Sequence, residues 1–290
     1  MLKFVDLSEH SRIKVSGDNA SGFLHSVCTN EIKSLKSGGS VGAAFADRFG
    51  KTIGLASIHN LGDFFILESD KKSHGNLFSY ISRMGSLSDC NVFDLGKTHG
   101  MFSVFGKQNN FLPQRLDSEE SSKKILSGSE AIVLKNCFLD RVDIVFLKED
   151  EEKVMKLLNE NPATEDAKSD YKNFRIENGF PEYGIDFDQT YLVVELGLEN
   201  IINYNKGCYT GQEIIARMKN YSAQLSKKVV NLEIQEGQKI AEEERLFSGD
   251  DEVGSITSAG TKSCLGTIKK GFFESRTELK TKNNSKLIVA

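Results

Sequence analysis

One short stretch of the sequence places a thiol, a lysine and two glycines at a spacing that suits chemistry. It reads Lys206-Gly207-Cys208-Tyr209-Thr210-Gly211-Gln212-Glu213. The glycines on either side of Cys208 let the backbone turn sharply or approach another surface without a Cβ atom in the way. Only the thiolate form of cysteine is a nucleophile or a good metal ligand, and a nearby cation favours that form. We therefore take Cys208 as the candidate reactive residue and Lys206 as its candidate partner.

The residues that follow predict a helix that begins close to Cys208. Ile214, Ile215 and Met218 recur at helical spacing, and Thr210 stands where a capping hydroxyl is expected. A helix N-terminus also favours a thiolate, which supports the reactive interpretation. The alternative stays open that the cysteine is a small residue in a tight turn, since free cysteines are often buried and inert.

The stretch resembles the K-G-C-Y-x-G-Q-E signature of the YgfZ family of folate-binding proteins. That family is a branch of the aminomethyltransferase superfamily, which includes the glycine-cleavage T-protein, and the match runs over eight residues without a gap. The resemblance implies that Cys208 and Lys206 form the functional site of this segment, with the thiol as a ligand or a nucleophile. Its implied supporting residues are Tyr209, Gly211, Gln212, Glu213 and Arg217. The last two lie four residues apart, so they also fit an ordinary helix-stabilising ion pair.

A second segment, Arg175-Ile176-Glu177-Asn178-Gly179, resembles the R-x-E-x-G run of the superfamily. In relatives the glutamate of this run binds the pterin end of folate, and Glu177 holds that position here. A carboxylate accepts two hydrogen bonds from neighbouring N–H groups with strong directional preference. Tyr171 could offer an aromatic face to the same ligand. Without the resemblance, Glu177 fits a surface carboxylate and Tyr171 fits core packing.

The beginning of the chain also resembles the superfamily, through a strand, a Gly-Asp turn and a helix that leads to Thr29-Asn30-Glu31-Ile32. The resemblance implies that His10 places its ring against folate and that Asn30 approaches the ligand. The alternatives are an exposed histidine near a chain end and an ordinary helix C-terminal residue.

The composition describes an ordinary globular protein. The 290 residues are 39% apolar and 27% charged, with a net charge of −4 that argues against broad electrostatic binding to nucleic acid. The five cysteines are odd in number, widely spaced and without a C-x-x-C pair, which favours a reducing compartment. They share no metal-ligand spacing with the five histidines, so we expect no preformed metal site.

The beginning of the sequence has no apolar signal region, and no apolar run approaches the roughly 18 residues of a membrane span. We therefore expect a cytoplasmic protein without membrane contact.

Alternating and helical patterns along the chain predict an α+β fold. We expect a three-strand meander over residues 42–46, 52–58 and 64–68, then helices over 71–84, 150–159 and 166–178. Residues 106–128 are polar and read as a loop. Short strands between glycines predict a small closed or half-closed β-barrel near the end. The resemblance implies a three-lobed disc, with a folate-binding domain of two intertwined lobes over 1–225 and the barrel over 226–290.

The T-protein needs a catalytic aspartate from a G-G-x-x-D-D run, and the corresponding stretch here, Gly50-Lys51-Thr52-Ile53-Gly54-Leu55, has no acid. The resemblance thus favours a tetrahydrofolate-binding factor that supports iron–sulfur cluster assembly or repair. Its implied partners are assembly proteins or cluster enzymes, and through the latter it affects tRNA modification. The alternative from the enzyme class is a folate-dependent one-carbon transferase. Direct tRNA binding is disfavoured by the net charge unless Lys219, Lys227 and Lys228 gather on one face.

Overall fold

The computed structural model describes residues 3–106, 121–126, 129–159, 164–165, 168–220, 225–235 and 238–290. Over these ranges the chain forms α-helices, short 3-10 helices and β-strands in an α+β arrangement. The α-helices are α1 (Ala20–Val27), α2 (His74–Ser86), α3 (Glu151–Asn159), α4 (Lys168–Glu177) and α5 (Gln212–Asn220). The strands are β1 (Lys3–Asp6), β2 (Ser11–Ser16), β3 (Ser40–Ala46), β4 (Thr52–Asn60), β5 (Phe64–Ser69), β6 (Asn91–Asp94), β7 (His99–Phe105), β8 (Ser122–Leu126), β9 (Ser129–Lys135), β10 (Arg141–Leu147), β11 (Thr164–Glu165), β12 (Lys227–Ile234), β13 (Arg245–Ser248), β14 (Asp251–Ala259), β15 (Ser263–Lys269), β16 (Glu278–Thr281) and β17 (Lys286–Val289).

The chain divides into two compact units, each built from separate stretches of sequence. Unit 1 comprises Met1–Phe45, Ile53–Tyr171 and Asn200–Thr210. Unit 2 comprises Ala46–Thr52, Lys172–Glu199 and Gly211–Ala290. The predicted boundary between residues 225 and 226 stays a proposal.

Unit 1 carries two β-sheets, each with its own apolar core. The strand order is β3-β4-β5-β2-β6 in one sheet and β11-β1-β7-β10-β9-β8 in the other. The first sheet packs with α1 and α2 around buried residues such as Phe23, Phe45 and Ile81. The second packs with α3 around Phe102, Phe146 and others. The expected meander is confirmed, since β3, β4 and β5 are neighbours in that order.

The polar stretch predicted as a loop over residues 106–128 contains a strand, so that part of the prediction is wrong. β8 pairs antiparallel with β9, and Lys123 lies opposite Ile132. The sequence of β8, Ser-Lys-Lys-Ile-Leu, has no alternation of apolar and polar residues, so its pairing depends on the neighbouring strand. Residues 107–120 of the predicted loop lie outside the described ranges.

Unit 2 contains the predicted barrel. Its strands close in the order β12-β15-β14-β13-β16-β17, and β12 pairs with both β15 and β17. Alternate residues point inward and fill the barrel with Leu232, Leu246, Ile256 and Leu287 among others. Closure leaves no unpaired strand edge in this sheet.

None of the helices in the described ranges combines the length and the apolar character needed to cross a membrane.

Candidate functional site

Cys208 differs from the other thiols of the chain in being exposed. Cys28, Cys90 and Cys264 are buried and Cys137 is half-buried. Burial raises the pKa of Cys28 to about 11 and the pKa values of Cys137 and Cys264 to about 12, so these thiols stay protonated at neutral pH. Cys208 is therefore the thiol that solvent and partners reach most readily.

Lys206 fixes the segment that carries Cys208. Its side chain is 7% exposed, and its Nζ donates to the carbonyl oxygens of His25, Cys28 and Asn30 at 2.5, 2.7 and 2.7 Å. These carbonyls lie at and just beyond the C-terminal end of α1, where a cation is favourable. An ammonium group has three N–H donors, so all three are used. Burial lowers the pKa of Lys206, and the three carbonyls stabilise the charged form.

Backbone and hydroxyl contacts hold the same segment on either side of Lys206. The Asn203 N–H donates to the Thr29 carbonyl at 2.9 Å, and the Thr29 hydroxyl donates to the Ile201 carbonyl at 2.6 Å. Farther along, the Thr210 hydroxyl accepts from the Tyr80 hydroxyl at 3.2 Å. The buried ring of Tyr209 lies 4.9 Å from Lys206 Nζ. We name residues 203–210, fastened in this way to unit 1, the signature segment.

In unit 2, α5 begins at Gln212 after a turn that requires glycine. Gly211 has φ +82°, and a Cβ atom there would lie 2.5 Å from the Asp47 carbonyl oxygen. Ile215 is buried, whereas Glu213 and Arg217 are exposed. The predicted helix is thus present, with the two charged residues of the motif on its solvent face.

His10 and Tyr171, both predicted to contact folate, lie together in unit 1. Their rings are 6.5 Å apart in an edge-to-face arrangement. His10 Nδ1 lies 3.1 Å from Glu68 Oε1, and the Tyr171 hydroxyl accepts from Arg141 at 2.7 Å. The His10 side chain keeps 19% exposure, so its ring remains accessible from solvent.

Behind this pair lies a buried network of charged side chains that joins β5 to β10. Arg141 donates to Glu68 Oε1 at 2.8 Å and lies 3.5 Å from Asp143 Oδ2. Asn136 donates to the second oxygen of Glu68 at 2.9 Å, and Ser103 donates to Asp143 at 2.5 Å. The three ionisable side chains are almost fully buried, so each needs these partners to offset the loss of hydration.

The two carboxyl groups of the network are shifted in opposite directions. Burial alone would raise the pKa of Glu68, but the charge of Arg141 and the hydrogen bond with His10 lower it well below its usual range. Burial raises the pKa of Asp143, and Arg141 offsets this only in part. One guanidinium thus holds Glu68 ionised, while Asp143 keeps its proton more readily than an exposed aspartate.

Arg12 holds the turn that presents His10. This fully buried guanidinium donates to the carbonyls of His10, Ser8 and His99 at 2.8, 2.8 and 3.0 Å. Because the backbone at His10 is tied to a neighbouring strand in this way, the position of the ring is set from both its backbone and its Nδ1 atom.

Asn30 uses its amide within the protein. Its nitrogen donates to the Gly42 carbonyl at 2.8 Å and its oxygen accepts from the Glu31 N–H at 2.9 Å. The side chain is 9% exposed, and its backbone carbonyl is one of the three that Lys206 binds. These contacts make Asn30 part of the support of the signature segment.

Glu177 is the last residue of α4, and its side chain is exposed. The neighbouring Arg175 is buried, and it binds Asp186 at 2.6 Å, the Phe180 carbonyl at 2.7 Å and the Ser258 hydroxyl at 2.9 Å. Arg175 therefore anchors the end of the helix within unit 2, which leaves the carboxylate of Glu177 available to a ligand.

The sequence interpretation missed Glu68, Arg141 and Asp143. A usable signal was present, since Arg141 and Asp143 are charged residues at positions i and i+2 of the otherwise apolar strand Arg-Val-Asp-Ile-Val-Phe-Leu. Residues at this spacing share one face of a strand, so two charges there predict a buried partner.

Across the described part of the chain, no group of three or more histidine, cysteine, aspartate or glutamate side chains is arranged to hold a metal ion.

Comparison with known proteins places this geometry in context. No family model matches the chain. It is 25% identical over 232 residues to a chloroplastic protein of Arabidopsis thaliana named as a transferase, an alignment that covers 75% of this chain and 53% of the relative. It is 24% identical over 286 residues to an aminomethyltransferase of Bacillus mycoides, with 91% of this chain and 75% of the relative covered.

A third relative is the tRNA-modifying protein YgfZ of Colwellia psychrerythraea, 25% identical over 220 residues, with 74% of this chain and 66% of the relative covered. The chain thus spans about half the length of the plant relative and about two thirds of this one. Among solved structures, the glycine cleavage system aminomethyltransferase T of Bartonella henselae matches with a TM-score of 0.86 at 17% identity, covering 99% of this chain and 84% of that one. The fold is therefore that of the aminomethyltransferase.

Proposed function

We propose that the chain, which is similar in sequence to a YgfZ protein and has the fold of an aminomethyltransferase, is a tetrahydrofolate-binding factor for iron–sulfur cluster assembly or repair. Through cluster-dependent enzymes it then affects tRNA modification. The observation that carries the proposal is an exposed Cys208 on a segment fastened to α1 by the three bonds of Lys206. A thiol that reacts with or binds a partner needs a defined position, and these bonds hold the segment that carries Cys208 in place.

The residues available for folate have suitable chemistry. Glu177 presents an exposed carboxylate, which can accept two N–H groups from the pterin end of tetrahydrofolate. His10 and Tyr171 offer aromatic rings backed by the Glu68 and Arg141 network. Asn30 contributes through its support of the signature segment rather than through its amide, whose two polar atoms are already bonded. When bound, the folate supplies a carrier for one-carbon units.

Cys208 acts in this proposal as a thiolate ligand or a nucleophile toward a partner. Lys206 positions the segment, because its three donors are used on carbonyls and leave none for a substrate. As a cluster ligand, Cys208 would join ligands from an assembly protein or a cluster enzyme. Glu213, Arg217 and Gln212 on α5 are the proposed contacts for that partner.

Titration calorimetry of tetrahydrofolate into the parent protein and into Glu177→Gln tests the folate part. We expect micromolar binding, equivalent to about −8 kcal/mol, weakened about tenfold or more by the substitution. Glu274→Gln removes the same charge from another exposed glutamate and should bind as the parent does. Equal affinity in all three proteins would remove Glu177 from the site, and no binding to the parent would refute the folate proposal.

Complementation tests the role of Cys208. In cells that lack their own YgfZ-like protein, the parent chain should restore the activity of an iron–sulfur enzyme that modifies tRNA, while Cys208→Ala should not. Cys137→Ala is the matched control, because it removes a half-buried thiol. The proposal fails if the Cys208 variant restores activity as well as the parent.

A second function, folate-dependent one-carbon transfer, is favoured by the aminomethyltransferase relative that aligns over 91% of the chain. The absence of an acid from Thr52-Ile53-Gly54-Leu55 at the start of β4 counts against it. Incubation with tetrahydrofolate and amine or methylated-amine donors tests for one-carbon transfer. Formation of methylene- or methyl-tetrahydrofolate would establish turnover.

Direct binding to tRNA finds little support. Lys227 and Lys228 are successive residues of β12, so their side chains point to opposite faces of the strand. Lys227 Nζ lies 3.2 Å from the centroid of the Tyr191 ring. An electrophoretic shift at physiological salt would overturn this view. The cytoplasmic location stays a prediction.

A further inference from the structure

A cavity of about 360 Å³ opens in unit 1 among residues that the proposed function does not use. Strands of both sheets line it. One side is formed by Lys14 of β2 and Phe64 of β5, and the other by His99, Lys123 and Glu130 of β7, β8 and β9. None of these residues belongs to the signature segment or to the candidate folate residues.

The most unusual feature of the cavity is that two lysines converge on one aromatic ring. Lys14 Nζ lies 4.3 Å from the centroid of Phe64, and Lys123 Nζ lies 4.8 Å from the same centroid. Each contact is a cation–π interaction, which stabilises the ammonium group. The ring thus contacts two positive charges that come from different strands.

The surrounding acids compensate these charges only in part. Lys123 is 3.4 Å from Asp63, but the Asp63 side chain is 86% exposed and such a pair is weak. Glu130 is the one acid in the lining, and it too is exposed. Burial, together with the charges of Arg12 and Lys14, lowers the pKa of His99, so this ring is neutral at pH 7 and can donate or accept a hydrogen bond.

The remaining wall of the cavity is apolar. Val145 is fully buried, Ile132 stands on the neighbouring strand, and Leu147 is 37% exposed at the mouth. A cavity of this size with an apolar wall and a few convergent polar groups has the character of a small-molecule site.

We propose that this cavity binds a small organic anion, in which a carboxylate or a phosphate is attached to an aromatic or apolar body. The anionic group contacts Lys14 and Lys123, and the body lies against Phe64, Ile132 and Leu147. The anion offsets the positive charge of the two ammonium groups through charge-assisted contacts.

Titration with 1-naphthyl phosphate and with 1-naphthoate tests the proposal and distinguishes the two anionic groups, while 1-naphthol serves as the neutral comparator. We expect at least one anion to bind and the neutral compound to bind at least about tenfold more weakly. Saturating tetrahydrofolate should leave the binding unchanged, because the cavity shares no residue with the proposed folate site.

Lys123→Gln and Lys124→Gln form a matched pair for this experiment. Both residues lie on β8 and lose the same charge, but neighbours on a strand face opposite sides and only Lys123 lines the cavity. Lys123→Gln should weaken anion binding at least about fivefold and Lys124→Gln less than about twofold. Lys14→Gln should reproduce the loss.

Three results would overturn the proposal: no binding of either anion up to about 5 mM, equal losses from Lys123→Gln and Lys124→Gln, or displacement of the anion by tetrahydrofolate. Because all three substitutions replace exposed or half-buried lysines, the variants should fold, and far-ultraviolet circular dichroism verifies this.

Discussion

At the scale of single residues, the surroundings of each thiol decide what it can do. Cys28, Cys90 and Cys264 are enclosed by apolar side chains, which disfavour the thiolate, whereas Cys208 lies open on the signature segment. The same residue type therefore serves as core packing at three positions and as a candidate reactive group at another.

The first prediction concerns thiol modification. Under limiting iodoacetamide at pH 7.5, Cys208 should be alkylated before any other cysteine, because the buried thiols are neither accessible nor ionised. Peptide mass spectrometry measures the order of labelling. Cys208→Ala should remove the fast phase, while Cys137→Ala should leave it intact. Preferential labelling of Cys137 would contradict the assignment.

A second prediction at this scale concerns Lys206. Lys206→Met keeps the apolar stem but leaves the carbonyls of His25, Cys28 and Asn30 without their donor. We expect a loss of about 3 kcal/mol in the free energy of unfolding, measured by urea denaturation. Faster amide hydrogen exchange should appear in residues 203–210. Lys33→Met, at an exposed position, is the control and should change the stability by less than about 0.5 kcal/mol.

At the scale of elements, the charged network of Glu68, Arg141 and Asp143 fixes β5 against β10 and supports His10 and Tyr171. A buried ion pair is costly to break because the remaining charge loses its partner without regaining water. The network therefore serves to position side chains, because its hydrogen bonds hold the rings of His10 and Tyr171 in place.

The pH dependence of stability tests this network. The pKa of Glu68 is lower in the folded state than in the unfolded chain, so its contribution is present above about pH 4.5 and is lost as the pH falls. Asp143 acts in the opposite sense, because its pKa is raised and its contribution is lost as the pH rises.

Glu68→Gln should therefore lower the free energy of unfolding by about 3 kcal/mol at pH 7. It should also flatten the decline in stability between about pH 5 and pH 3.5. Urea denaturation over that range measures both quantities. Glu233→Gln, on an exposed position of β12, should keep the stability and the slope of the parent. An unchanged slope in Glu68→Gln would show that the network does not control acid stability.

At the scale of the whole molecule, the two units bury their β-sheets in different ways. Unit 1 covers its sheets with helices, while unit 2 removes its edges by closing six strands into a barrel. Closure depends on β17, the last strand, which pairs with β12 and β16.

A matched pair of substitutions on β17 tests this dependence. Leu287 points into the barrel and is fully buried, whereas its neighbour Lys286 is exposed. Leu287→Ala should lower the free energy of unfolding by about 3 kcal/mol and should accelerate amide hydrogen exchange in β12 and β16. Lys286→Ala should change the stability by less than about 0.5 kcal/mol. Similar exchange in both variants would contradict a barrel closed by this strand.

The sequence alone was enough for the features that depend on local pattern. Alternating residues predicted the meander and the C-terminal barrel, and helical spacing predicted α2, α3, α4 and α5 to within a few residues. The signature and the R-x-E-x-G run indicated the superfamily, whose fold is confirmed. The folate residues and the reactive thiol stay predictions.

The tertiary structure decided which distant residues meet. Lys206 binds carbonyls that precede it by 176 to 181 residues, and Arg141 binds a glutamate 73 residues earlier. It also decided that β8 forms a strand and that Lys14 and Lys123 share one ring. Spacing in the sequence fixes neighbours only within a helix or a strand, through periods of 3.6 and 2 residues. Contacts between elements depend on how those elements pack, and the packing follows from the whole chain.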